Sequence, residues 1–146
     1  MNNFSGFLPS VALAFLIAAT GSAHALDVSV SGLRNRDGNV VICVWRRQDR
    51  GFPNCGTGQP FKRLTIPATA PGLALNDLPS GEYAISVFHD EKRRGKLETN
   101  LLGIPLSGVG LANNPQFGPI NPPTFAKARV FVPNTQALDI AVKYLF

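Results

Sequence analysis

The run HDEKRRGKLETN, residues 89–100, holds the side chains best suited to chemistry. Asp90 is followed by Gly95, then by Leu97 and Glu98, which is the rhythm of a loop that wraps a calcium ion. With Asp90 as the first ligand position, the third and fifth fall on Lys92 and Arg94. The last position, which wants a bidentate Glu, falls on Leu101. Calcium takes about six to eight oxygens, and two cationic side chains at ligand positions repel the ion. A metal-binding module is therefore disfavoured by Lys92 and Arg94; no metal and no cofactor is expected.

His89 and Asp90 are the candidates for catalysis, in an alternative reading as a hydrolase. A general base needs a nucleophile and an orienting acid within hydrogen-bond reach. Ser86 precedes His89 by three positions on an extended segment, so its side chain points to the opposite face. Ser107 is not in a nucleophile elbow, because Pro105 stands where that turn needs its first Gly. A structural role competes: His89 bridging backbone groups at a strand end, Asp90 capping loop N–H groups. Lys92, Arg93, Arg94 and Lys96 form a basic cluster that suits phosphate or carboxylate groups. No aromatic residue is interleaved, so base stacking is unsupported and nucleic acid is not an expected partner.

The elements that must carry these residues read as strands. LDVSVS alternates, with Leu26, Val28 and Val30 on one face. Arg36-Asp37-Gly38-Asn39 offers a tight hairpin turn. NVVICVW is apolar on both faces, as in a central sandwich strand, and puts Cys43 and Trp45 on the same side. FKRLTI and EYAISVFH follow, the latter aligning Tyr83, Ile85, Val87 and His89. TFAKARVFV and ALDIAVKYLF complete the pattern, with Phe146 closing a core strand. Between them, residues 90–123 are rich in Gly, Pro and Asn, yet carry Leu101, Leu102, Ile104, Leu106, Val109, Leu111, Phe117 and Ile120. A disordered linker would lack these, so the stretch reads as a compact loop packing part of itself onto the fold. No helical periodicity emerges. The expectation is an all-β, immunoglobulin-like or prealbumin-like sandwich of about seven strands with one long Gly/Pro-rich loop.

The chain opens differently. LPSVALAFLIAAT is an apolar run short for a membrane span, and Ala23-His24-Ala25 is an A-x-A cleavage signature. Residues 1–25 are expected to be a signal peptide and residues 26–146 a single domain with no transmembrane segment. Such a domain buries roughly two thirds of its unfolded surface. Export to a bacterial periplasm or the medium favours a disulfide between Cys43 and Cys55, worth roughly 3 kcal/mol in the chain-entropy treatment. The formal charge of +5 lies wholly after Ala25. That excess suits an anionic surface in the envelope.

LPSGEYAISVFHDEKRRGKLETNLLGIPLSGVGLANN, with PPTFAKARV after it, resembles a family of exported bacterial proteins known as domain of unknown function 2141. The family pattern runs H-D-x-N-x-N-G-x-L-D, then G-I-P-x-E-x-x-G-x-S-N-N. His89, Asp90, Gly95, Leu97, Gly103, Ile104, Pro105, Gly110, Asn113 and Asn114 match it. The departures are Lys92 and Arg94 for Asn, Glu98 for Asp, Ser107 for Glu, and Ala112 for Ser. The resemblance implies a sandwich fold and no established activity. Asn113 and Asn114 join Lys92, Arg93, Arg94 and Lys96 as candidate binding residues. The function expected is an exported, non-catalytic module that binds an envelope component or a partner protein through the 90–123 face.

Overall fold

The computed structural model describes Gly6, Ser10, residues 11–16 and residues 24–146. The signal-peptide expectation falls largely on residues outside those described. No helix among the described residues is long and apolar enough to cross a membrane.

Among the described residues eight strands form two sheets: β1 (His24–Ser31), β2 (Asn39–Trp45), β3 (Lys62–Pro67), β4 (Gly72–Leu78), β5 (Gly81–Asp90), β6 (Val109–Leu111), β7 (Arg129–Val132) and β8 (Ala137–Ala141). A single turn of 3-10 helix, Ala126–Ala128, leads into β7. The smaller sheet runs β4-β1-β8, and the larger runs β3-β2-β5-β6, with β7 also on β5. The long strand β5 makes this possible. Its first residues, Gly81–Ala84, pair with β7, and Ser86–Phe88 pair with β6. β2 occupies its other edge along most of its length. β8 lies parallel to β1, an arrangement the closeness of β7 and β8 in sequence does not suggest.

The alternation of β1 has the expected consequence: Leu26, Val28 and Val30 are buried. They meet Val40, Ile42 and Val44 of β2 and Tyr83, Ile85 and Val87 of β5 in the core between the sheets. The second face of the larger sheet is covered too. There Val41, Cys43, Trp45, Ala84 and Phe88 pack with Cys55, Leu111 and Ala128. This explains why β2 is apolar on both faces. Cys43 and Cys55 are joined in a disulfide that pins the 46–61 loop against this outer face. Trp45 Nε1 donates to Ser86 Oγ at 2.8 Å, and Ser86 Oγ donates to the Pro53 carbonyl at 2.9 Å. A buried indole N–H and a buried hydroxyl are thereby both satisfied.

The all-β sandwich of about seven strands is what the structure has, the long 90–123 stretch contributing the short β6. Two other expectations need correction. The Arg36–Asn39 turn does not make a hairpin, because β1 and β2 belong to different sheets. The turn instead carries the chain across the sandwich, and Gly38 (φ 67°) permits the Asp90 and Glu91 carbonyls to approach where a Cβ would stand. Phe146 does not end a core strand: β8 stops at Ala141 and Phe146 is exposed. After β8 the chain moves to the other sheet. Val142 N still donates to Ser31 O at 2.9 Å, but Lys143 and Val109 then exchange backbone bonds of 2.8 and 2.9 Å.

Candidate functional site

β5 ends at Asp90, whose side chain is buried by the loop that follows. Asp90 Oδ1 accepts from Arg94 N at 2.9 Å, and Oδ2 accepts from Gly95 N at 2.7 Å. Arg93 (φ 54°) and Gly95 (φ 70°) are left-handed, which aims those N–H groups back at the carboxylate. Arg63 closes the loop from outside, donating from Nη1 to Cys55 O at 2.7 Å and from Nη2 to the Gly95 carbonyl. Side chains thus do the shaping that a cation would do in a calcium loop. Among the described residues no group of three or more His, Cys, Asp and Glu side chains could hold a metal ion.

His89 is buried at the end of the same strand. Its Nε2 lies 2.7 Å from the Asp37 carbonyl, which can only accept, so Nε2 carries a proton. Nδ1 lies 2.8 Å from the Tyr144 hydroxyl. That hydroxyl accepts from Arg34 N at 3.1 Å, and Glu91 Oε1 stands 3.6 Å from the same imidazole nitrogen. Arg34 lies 4.6 Å above the Tyr144 ring and grips Glu91 with bonds of 2.6 and 2.9 Å. The Arg34 hydrogen bond is the main cause holding the Glu91 carboxyl below its ordinary range, whereas burial pushes the Tyr144 phenol up. A cavity of about 280 Å³ beside His89 is lined by Arg34, Glu91, Glu98 and Phe146. Both imidazole nitrogens already have partners, so a hydrolytic role for His89 would require breaking this chain of bonds. Ser86 faces the other way, bonded to Trp45, as its position on the strand implies.

The basic cluster is divided. Arg94 Nη1 pairs with Glu98 at 2.8 Å and Lys92 Nζ approaches Glu98 at 3.5 Å. Arg93 and Lys96 are exposed and form no ion pair among the described residues. Asn113 and Asn114 lie elsewhere, past the end of β6, with φ of 69° and 47°. Asn113 Nδ2 donates to the Lys127 and Arg129 carbonyls, at 3.2 and 2.8 Å. Asn114 donates to Asp139 O at 3.0 Å and accepts from Ala141 N at 2.8 Å, which blocks the free edge of β8. These amides join loop to sheet.

The residues that sequence reasoning misplaced are apolar. Glu98 to Ser107 forms a small hairpin, with Leu106 N donating to Glu98 O at 2.8 Å and Asn100 N to Ile104 O at 2.9 Å. Asn100 Oδ1 holds the tip by accepting from Leu102 N at 2.9 Å and Ile104 N at 3.0 Å. On that tip Leu101 and Leu102 are 106% and 83% exposed. A second hairpin tip, closed by paired bonds between Gly118 and Asn121, holds Ile120 at 100% exposure. Leu102 of one hairpin and Pro119 of the other line the same apolar cavity of about 390 Å³. Its floor is Phe88, Val109 and Leu111 on the outer face of the larger sheet. Val109, Leu111 and Phe117 do pack onto the fold as expected of this stretch. Leu101, Leu102 and Ile120 do not. The signal available in the sequence was their setting between Asn and Gly at turns.

No curated protein and no solved structure matches the chain. A family model described as an uncharacterised protein conserved in bacteria matches residues 28–140, most of the chain. The match spans β1 to β8 and includes the Asp90 loop and both hairpins. The chain therefore belongs to this bacterial family, domain of unknown function 2141.

Proposed function

We propose that the protein is an exported, non-catalytic binding module that engages an envelope component through the face built by residues 90–123. One observation carries this reading. Leu101, Leu102 and Ile120 stand in solvent on the tips of internally hydrogen-bonded hairpins that flank an apolar cavity. Burying such side chains is worth about 1.5–3 kcal/mol each, so the folded chain forgoes a sizeable stabilisation by holding them out. Apolar groups clustered on ordered, exposed loops mark interaction surfaces. The disulfide and the bacterial family support a location outside the cytoplasm.

The test immobilises the exported protein and passes over it a detergent-solubilised envelope extract. Material retained by the native chain is expected to be lost with Leu101→Ser/Leu102→Ser/Ile120→Ser, and reduced when Lys92, Arg93, Arg94 and Lys96 are each changed to Gln. Equal recovery of lipid and protein by all three forms removes the loop face from consideration.

A further inference from the structure

We infer that the component engaged is the surface of an anionic lipid bilayer, with the two hairpin tips inserted beneath the headgroups. This rests on the loop-face reading above and names its partner. Three observations converge on it. First, Leu101 and Ile120 stand at the tips and do not line the cavity, so they would stay in water if a small ligand filled the space between the hairpins. A bilayer covers tips and cavity together. Second, the dimensions agree. From Glu98 at the hairpin base to Leu101 is three residues, about 10 Å of extended chain, and interfacial elements bury their apolar side roughly 5–10 Å into the headgroup boundary.

Third, cations stand beside the hairpin base. The basic loop 92–96 directly precedes it, and Arg94 and Lys96 line the same surface hollow as Glu98 and Leu106 of the hairpin. Arg93 and Lys96 have no carboxylate partner among the described residues and are the two free to meet lipid phosphate. Lys92 and Arg94 offer less, because Glu98 already sits against both. The formal charge of +5 adds a general attraction to an anionic surface. A protein partner is the competing occupant. It would be expected to bury the tips against a complementary pocket, and nothing in the cavity requires a partner of fixed shape.

Each free cation near an anionic surface is worth roughly fivefold in affinity, so Arg93→Gln/Lys96→Gln should weaken binding about thirtyfold. Removing the tip leucines should cost on the order of a hundredfold or more. The native cysteines are paired and no free cysteine is found among the described residues, so a single added thiol can be labelled. An environment-sensitive fluorophore is placed on Ile120→Cys, and in a separate protein on Asn134→Cys. Asn134 is exposed and follows β7, whose Val132 pairs with Gly81 at the opposite end of β5 from Asp90.

The exported protein is mixed with vesicles of phosphatidylethanolamine and phosphatidylglycerol, or of phosphatidylcholine alone. The label at 120 is expected to shift to the blue on the anionic vesicles only, and the label at 134 on neither. High salt and the Arg93→Gln/Lys96→Gln change should each move the response to higher lipid concentration, and Leu101→Ser/Leu102→Ser should abolish it. Because the label reports its own surroundings, lipid affinity elsewhere in the chain does not mimic insertion of the tip. An unchanged label at 120, or equal shifts at 120 and 134, overturns the inference. If the label stays silent while tip-dependent capture of a protein from a lipid-free extract persists, only the bilayer is excluded. If that capture is also tip-independent, the loop-face function falls with it.

Discussion

Replacing Asp90 by Ala tests whether the opening loop is organised by a carboxylate rather than by an ion. Asp90 is 5% exposed, and its side chain accepts two backbone bonds, from Arg94 N at 2.9 Å and Gly95 N at 2.7 Å. Bonds to a charged group contribute about 1.5–3 kcal/mol each when buried. Arg94 and Gly95 are themselves exposed, so water can replace part of what is lost, and each bond is better valued near 1–1.5 kcal/mol. Asp90→Ala should therefore destabilise by about 2–3 kcal/mol, lowering Tm by roughly 10 °C in a domain of this size. Asp90→Asn keeps one acceptor oxygen but turns an amide donor toward the second N–H group, and should cost about half as much.

Urea unfolding of the three proteins, followed by tryptophan fluorescence of Trp45, measures the differences. The same proteins are then melted with and without millimolar calcium. A ligand at about a hundred times its Kd raises stability by about 2.7 kcal/mol, so a loop that bound calcium through Asp90 would show a clear upward shift in the native protein. No shift is expected. A variant within about 0.5 kcal/mol of the native chain, or a calcium-dependent rise in Tm, would refute the carboxylate-cap account.

Tyr144→Phe strips the hydroxyl from between His89 Nδ1 and Arg34 N and should cost about 1–3 kcal/mol in urea unfolding, a near-neutral result showing that water takes its place. Glu91→Gln should flatten the acid limb of the stability profile. The Glu91 carboxyl lies below its ordinary value of 4.5 in the fold, so its contribution is present above that pH and is lost as pH falls through the lowered value; equal acid limbs would contradict this. Gly108→Ala should destabilise by about 1–3 kcal/mol, because a Cβ there would lie 2.5 Å from both Tyr144 Cε1 and Val142 Cγ1, and a thermal melt unchanged by the substitution would count against that packing.

The strands were legible where a single face is buried or where both are. Leu26, Val28 and Val30 alternate because one side of β1 meets the other sheet, and β2 is continuously apolar because Trp45 and Cys43 are covered by the 46–61 loop. What local pattern could not convey is which sheet a strand joins. Arg36–Asn39 has hairpin composition, yet the pairing of β1 with β4 and β8 is a matter of distant partners. β6 escaped for a different reason. It is three residues long with Gly110 at its centre, where the Ile140 side chain lies so close that a Cβ would stand 2.8 Å from Cγ2. Of the residues singled out for chemistry, His89 bridges to the Asp37 carbonyl and Asp90 caps the Arg94 and Gly95 N–H groups, the local roles a strand end and a turn suggest. Which of the apolar residues of 90–123 pack and which stand out was not legible from their type; Leu101, Leu102 and Ile120 lie at turn tips that the hydrogen bonds of Asn100 and Asn121 close, in the Asn and Gly setting the sequence shows.

The groups that hold the loop are not the groups that face outward from it. Asp90, Arg63 and Asn100 bond to backbone atoms, which every residue type but proline supplies, so the path of residues 90–104 does not depend on the side chains at Lys92, Arg93 or Lys96. Gly95 needs its left-handed conformation and Arg93 adopts one at a modest cost, but neither requirement concerns charge. Substitution at the cationic positions should then change stability by no more than about 0.5 kcal/mol while altering what the surface attracts. The family resemblance fits this division, since His89, Asp90 and Gly95 match its pattern whereas Lys92 and Arg94 stand where the pattern has Asn. A frame fixed by backbone bonds lets the charge of the outward face vary from one chain to another, and in this chain that face is cationic beside two apolar tips.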